Sequence, residues 1–361
     1  MKISEEKLVS FLEKEGLDAF YVHNPVNVRY ICKYSGGDAY LLILKNKLYL
    51  LTDPRCLEHA EAECPEYDCV DWRPYGSIVK GLAEVLKRES IKKLGVEGEY
   101  VSCDMFEDIE KEYAKEAACE IVSYTNVIED FQAVKEEEEL PYIRNACEIS
   151  ERALERLYKD IRPGVTEKEL EAKLAMYMAM EAADVKSCPY IVLSGARSAG
   201  AQTNPTMKAV EYGDPVLIDF GCKFDGYKAG ITRTVIVGIA TKKQKEIYQL
   251  VLDIQEKCIK AVKAGVKAKE LYRLAEDMVR GTGYEPYFCQ TLGHGIGLFA
   301  HQKPYINAKS EDVLEENMVI TIEPGICIPG FGGIRIGDEL LVKKDGCVNL
   351  VQTGKQLLEV F

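Results

Sequence analysis

Eight residues in the later part of the chain have side chains that can move protons, carry charge or orient a substrate: Gln202, Asp219, Tyr227, Lys228, His294, His301, Glu323 and Arg335. Asp219 closes an apolar run inside GDPVLIDFGCKFDGYKAGITRTVIV, residues 213–237. An acid at the end of a buried strand must be paired, hydrogen-bonded or bound to a metal. The same stretch predicts a β-hairpin, with a Gly-rich turn and a β-branched return strand over Ile231–Val237. Only four histidines occur, and two of them, His294 in TLGHGIGL and His301, lie seven residues apart. Glu323 follows in TIEPG and Arg335 in GGIRIGD. Two acids and a histidine suit proton transfer or cation ligation. His301, Arg335 and Tyr227 suit the orientation of an anionic or amide substrate. Gln202 can exchange hydrogen bonds but cannot titrate. Lys228 stands two residues before Gly230, so strand alternation predicts its ammonium on the same face, as a counter-ion for Asp219. A structural alternative stays open at this stage: His294 as a satisfied interior histidine, Glu323 as the cap of a turn.

The motifs DFG…GY…TRT, GHGIGL…H, TIEPG and GIRIGD resemble those of the pita-bread family of Xaa-Pro dipeptidases (prolidases), aminopeptidase P, methionine aminopeptidases and creatinases, peptidase family M24. In its metallopeptidases the resemblance implies five ligands around two cations. Asp219, His294 and Glu323 match three of them, while Gly230 and Gly337 stand where the two bridging carboxylates belong. Two cations about 3.5–4 Å apart need that negative bridge. Asp338 cannot replace it, because one step along a strand turns a side chain to the other face. Gln202 stands at the position of a proton-shuttling histidine. The expected cofactor is therefore none, or at most one weakly held divalent cation at the remnant positions Asp219, His294 and Glu323. The expected catalytic residues are His294, Glu323 and Asp219. His301, Arg335, Tyr227, Gln202 and Lys228 are expected to bind substrate. The function expected is that of a divergent hydrolase of this family, acting on a small C–N-bonded substrate or modified dipeptide without a dinuclear metal centre. One alternative is a non-catalytic pseudo-peptidase that binds a peptide or protein. A second is a metal-dependent Xaa-Pro dipeptidase or aminopeptidase.

The elements that must position these residues fall into two parts, since one core rarely serves a chain of 361 residues. Short apolar runs alternate with turns and helical patterns early on: a hairpin AYLLIL–KNK–LYLL, a helix over 78–88, a strand over 93–96, a helix over 104–117 and a strand over 119–122. This pattern predicts a mixed sheet covered by helices, resembling the creatinase/prolidase N-terminal domain, over residues 1–128. Asp53 and Arg55 read as a salt-bridged turn. The boundary falls near 126–136, with the acid run Glu136–Glu139 expected as the solvated first turns of the next helix. Residues 157–178 and 258–279 align without gaps at an offset of 101, each a helix end, a GV turn and a second helix. That repeat predicts two similar halves about a pseudo-two-fold axis. The fold expected for 136–361 is thus the pita-bread domain, a curved antiparallel sheet backed by helices, and the whole chain is of the α/β (α+β) class.

A formal charge of −13 excludes a nucleic-acid role, which needs clustered Lys and Arg. No run of about 20 apolar residues and no signal-peptide pattern occurs, so a cytoplasmic protein is expected, with no membrane partner. Thirteen cysteines without a CxxC pair read as mostly buried thiols in a reducing cytosol. The partners expected are a small-molecule or short-peptide ligand and, from the resemblance, a second copy in a homodimer.

Overall fold

Alternation of apolar and polar runs becomes a six-stranded sheet in the first part of the computed structural model, which describes residues 2–186, 190–200 and 203–361. The chain divides into two units, Met1–Gln132 and Ala133–Phe361. In the first, the strands are β1 (Ala19–Val22), β2 (Ala39–Leu44), β3 (Leu48–Thr52), β4 (Asp68–Asp71), β5 (Lys93–Glu97) and β6 (Glu120–Tyr124). Their order is β4-β3-β2-β1-β5-β6. The central pairs β1–β2 and β2–β3 are antiparallel, and β3–β4, β1–β5 and β5–β6 are parallel, so the sheet is mixed. Leu42, Leu51, Leu82, Leu86, Leu94 and Val96 are sealed in its core. Each contributes about 1.5–3 kcal/mol over an exposed side chain. Asp53 caps the helix Pro54–Glu63 by accepting the Arg55 N–H, and its carboxylate also holds the Arg73 guanidinium at 2.5 Å.

The second unit carries the repeated helix pairs: Leu140–Tyr158 with Glu167–Met180, and Lys242–Ala261 with Ala268–Val279. Thr166 and Glu169 form a capping box that starts the second of these helices. The strands are β7 (Val185–Lys186), β8 (Ile191–Ser194), β9 (Pro215–Phe220), β10 (Cys222–Phe224), β11 (Tyr227–Lys228), β12 (Ile231–Val237), β13 (Thr291–Gly295), β14 (Gln302–Asn307), β15 (Val319–Ile322), β16 (Gly325–Ile328), β17 (Gly332–Arg335), β18 (Asp338–Lys343), β19 (Gly346–Asn349) and β20 (Leu358–Val360). One repeat contributes to the sheet β20-β12-β9-β8, the other to β14-β13-β15-β18-β19. The two sheets touch where the Gly337 N–H donates to Thr232 O at 2.9 Å and the Thr232 N–H to Gly337 O at 3.3 Å. Leu292, Ile320, Ile322 and Leu340 pack beneath the five-stranded sheet against Ile254 and Leu271 of the covering helices.

Two expectations are corrected. Glu136–Glu139 do not form the first turns of a helix: they make a turn before Leu140, and Glu139 is buried, its carboxylate accepting the Glu136 N–H at 2.7 Å. That hydrogen bond closes the turn and ends the helical path there. The return strand runs over Ile231–Val237 as expected, but Lys228 does not lie on it. Tyr227–Lys228 pairs with β10, the chain breaks step at Ala229–Gly230, and β12 begins afresh at Ile231. Among the described residues no helix is long and apolar enough to cross a membrane.

Candidate functional site

Five of the eight candidates converge on one cavity of about 1000 Å³ in the second unit: Asp219, His294, His301, Glu323 and Arg335. Asp219 sits near the end of β9, opposite Thr232 of β12, and Arg335 ends β17. The Arg335 Nη1 stands 3.2 Å from Asp219 Oδ2, an ion pair. His294 belongs to β13, where the strands run unusually close. A Cβ at either neighbouring glycine would collide with a backbone carbonyl, of Thr321 at Gly293 and of Lys303 at Gly295. That close approach fixes the imidazole in place: Nε2 lies 3.2 Å from Glu323 Oε1, and Nδ1 lies 3.0 Å from Gly295 O. Thr321 completes the clamp, its hydroxyl accepting the His294 N–H at 3.1 Å and donating to Glu323 Oε1 at 3.3 Å. The ring centroids of His294 and His301 are 4.2 Å apart.

These contacts set the charges. Burial works against an ionised Glu323, yet the hydrogen bond and charge of His294 hold its carboxyl down to about 2. Burial likewise opposes a charged His294, and the same Glu323 partner raises it above the ordinary histidine value. Two oxygen acceptors facing both ring nitrogens suit the imidazolium. His301 goes the other way, lowered by burial and then by the His294 charge, so it stays a neutral base. Burial pushes the Asp219 carboxyl up, with the Glu323 charge adding to it against the pull of Arg335. Arg335 is held in its charged form by Asp219 and Glu323, which outweigh its burial.

Two candidates lie elsewhere, and a third is not among the described residues. The Tyr227 ring stacks on Tyr142, centroids 5.3 Å apart, and does not line the cavity. Lys228 occupies the separate strand β11, its backbone N–H donating to Gly297 O at 2.7 Å, and its charge acts on His301. The cation on Asp219 is Arg335, because the break at Ala229–Gly230 cancels the alternation that would have placed Lys228 there. Gln202 lies outside the described residues.

One buried acid behind the cavity wall was not singled out in the sequence. Glu339 is fully buried; its Oε1 accepts the Gly230 N–H, and its Oε2 accepts the Cys147 thiol at 3.1 Å. Burial pushes its carboxyl up to about 8. The available signal was strand alternation: Asp338 turns away to Arg233 at 2.8 Å, and the next residue returns to the face of Gly337. Among the described residues no group of three or more His, Cys, Asp or Glu side chains is arranged to hold a metal ion.

Sequence comparison extends these observations to the whole chain. The model of metallopeptidase family M24 matches residues 141–344, and that of the creatinase/prolidase N-terminal domain matches residues 6–134. The chain is 36% identical over 359 residues to an Xaa-Pro dipeptidase of Pyrococcus furiosus, covering 99% of this chain and 100% of the relative. It is 32% identical over 361 residues to an Xaa-Pro dipeptidase of Lactobacillus helveticus, covering 98% and 97%. Among solved structures it is similar to an Xaa-Pro dipeptidase from Bacillus anthracis, with a TM-score of 0.95, 33% identity and 99% of each chain covered. A prolidase from Pyrococcus furiosus superposes with a TM-score of 0.88 at 35% identity, covering 96% of this chain and 99% of that one.

Proposed function

Because the chain belongs to metallopeptidase family M24, with a creatinase/prolidase N-terminal domain, we propose that it is a hydrolase of the Xaa-Pro dipeptidase kind working without a dinuclear metal centre. The observation that carries this reading is the charge pairing in the cavity. Asp219 is paired with Arg335 and Glu323 with His294, each at 3.2 Å, so the two carboxylates at ligand positions already have cations. The positions that the family resemblance assigns to the bridging acids are Gly230 and Gly337. This donor set does not fit two divalent cations, whose mutual repulsion needs a bridging negative charge.

In this reading the substrate is a dipeptide or a similarly small molecule with an amide C–N bond. His301, neutral and open to the cavity, takes a proton from water as general base. The Arg335 guanidinium and the His294 imidazolium offer positive charge to the oxygen that becomes anionic when that water attacks the carbonyl. The tetrahedral intermediate then collapses as the C–N bond breaks, and His301 returns its proton to the departing amine nitrogen. Glu323 keeps His294 charged, and Asp219 anchors Arg335.

The test is hydrolysis of an Xaa-Pro dipeptide panel and of small amide metabolites by the purified protein, with and without chelator, alongside its metal content. Turnover that survives chelation supports the proposal. Turnover that needs two cations per chain restores the metal-dependent Xaa-Pro dipeptidase reading, which the names of the relatives favour. Binding without turnover leaves the pseudo-peptidase, which the same pre-paired charges also favour. The proposed assembly is a homodimer; light scattering at micromolar concentration should report twice the 40.5 kDa chain mass, and a monomer refutes it.

A further inference from the structure

Cys289 and Cys327, both half-buried, line the cavity and have no part in the chemistry above. Strand register puts them on one face. β16 pairs with β17, setting Cys327 opposite Gly333 and Gly325 opposite Arg335. On the other edge of β16, Phe288 bridges Ile326, and the Cys289 N–H donates to Gly325 O at 3.1 Å. Cys289 thus lies opposite Gly325. Ile326 points into the core, so alternation turns Cys289, Gly325, Cys327 and Arg335 to the cavity side.

The glycines on this face make room for their neighbours. A Cβ at Gly325 would meet Arg335 Nε at 3.2 Å, and one at Gly333 would meet Cys327 Sγ at 3.2 Å. Arg335 therefore lies over Gly325, in the row that ends at Cys289 and beside the row of Cys327. Its Nη1 is taken by Asp219, but its buried Nε–H has no hydrogen-bond acceptor among the described residues. A buried donor left in that state is costly and calls for an acceptor. The Arg335 charge also reaches both thiols.

The spacing of the two cysteines selects what can join them. Diagonal neighbours in a sheet have Cα atoms about 7–8 Å apart, whereas a disulfide needs them within about 7 Å. An ion between the sulfurs suits the longer span, since each metal–thiolate bond adds about 2.3 Å. Turning Cys327 Sγ from Gly333 toward Cys289 takes one step between staggered rotamers. Structural Zn²⁺ wants four ligands, and among the described residues no group of three or more is arranged to hold a metal ion. Two thiolates alone satisfy a soft monovalent cation, for which sulfur is the preferred donor.

We propose that Cys289 and Cys327 form a two-coordinate site for a soft monovalent cation of the Cu(I) kind, with Arg335 as its counter-charge. Binding replaces two S–H bonds with two S–Cu bonds and sends two protons to solvent, and copper keeps its oxidation state. The thiolate–copper–thiolate unit carries one negative charge, which the guanidinium balances. A sulfur lone pair then gives the Arg335 Nε–H its acceptor. Burial keeps both thiols protonated beforehand, Cys289 being pushed up to about 11, so both protons leave on binding at neutral pH. Such a site is independent of whether the chain hydrolyses a peptide.

Anaerobic titration of the reduced full-length protein with Cu(I), in competition with bicinchoninate, tests the site. The proteins compared are the wild type, Cys289→Ser, Cys327→Ser and the double variant. The wild type should hold one ion more than either single variant. The double variant should hold as many as the singles, because both sulfurs share one ion. Zn²⁺ retention should be the same in all four. Equal copper content in all four proteins overturns the site, and so does a double variant that loses two ions. Should a serine variant fail to fold, alkylation of the wild type decides. Saturation with Cu(I) should shield Cys289 and Cys327 together from iodoacetamide, read by peptide mass mapping. Labelling of either cysteine that Cu(I) leaves unchanged overturns the site.

Discussion

His294 and Glu323 stabilise each other only while both are charged, which confines their contribution to a window of pH. The Glu323 carboxyl, held down to about 2, gives stability that is present above its unfolded value of roughly 4.3 and is lost as pH falls toward 2. His294, raised by the same partner, gives stability that is full below roughly 6.5 and is lost as pH rises through its folded value. The pair is thus complete between about pH 4.5 and 6.5. Glu323→Gln should cost about 1–3 kcal/mol there and less outside. Urea unfolding at pH 3, 5.5 and 9 checks this; a cost independent of pH would contradict it. Glu339 has the opposite sign. Its carboxyl is raised to about 8, so the folded state binds the proton more tightly, and stability falls as pH climbs from about 4.5 to 8. Glu339→Gln removes that slope. Relative to the wild type, the variant should gain more than about 1 kcal/mol between pH 5 and 8.5. A difference that stays flat across that range would show that Glu339 is already ionised by a partner.

At the scale of elements, the two glycines are not equivalent. Gly337 lies on the seam where its backbone exchanges hydrogen bonds with Thr232, and a methyl group there meets Thr232 and Glu323 at 3.0 Å. Gly337→Ala should cost about 1–3 kcal/mol, as overpacking does. Gly230→Ala meets nothing nearer than 3.7 Å and should be neutral or stabilising by up to about 1 kcal/mol. Thermal unfolding of the two variants separates them; equal costs would mean that the seam yields. Restoring acids at both positions is then limited by Gly337, not by Gly230. The same contrast marks what the sequence discloses. The duplicated helix pairs, the capping box at Thr166–Glu169 and the hairpin arm β12 are legible because they depend on local pattern. The partner of Asp219 is not, because Arg335 lies 116 residues away and its approach is set by how β17 meets β9. Lys228 misleads for a related reason: alternation holds only while a strand is continuous, and β11 ends two residues before Gly230. Glu339 could have been found by carrying the alternation two steps beyond Gly337.

For the whole molecule, metal binding and folding are one linked equilibrium. A cation that binds the folded chain and not the unfolded one raises stability by an amount set by its concentration relative to its dissociation constant. About 1 mM Mn²⁺ over a micromolar site would add about 4 kcal/mol per site, a rise of several degrees in the unfolding midpoint. The cavity carboxylates Asp219 and Glu323 are already matched by Arg335 and His294, so a second cation at either would have to displace an existing one. The midpoint of the wild type should therefore stay the same with Mn²⁺, with Co²⁺ and after chelator treatment. A chain of formal charge −13 also attracts divalent cations diffusely. That background is removed by a control with Ca²⁺ at the same ionic strength, since diffuse screening does not distinguish it from Mn²⁺. A shift of several degrees with Mn²⁺ but not Ca²⁺, reversed by chelator, would mean that His294 and Arg335 leave their carboxylates when metal arrives. In that event the chain works as a metallopeptidase, and the charge pairs seen here are its metal-free resting state.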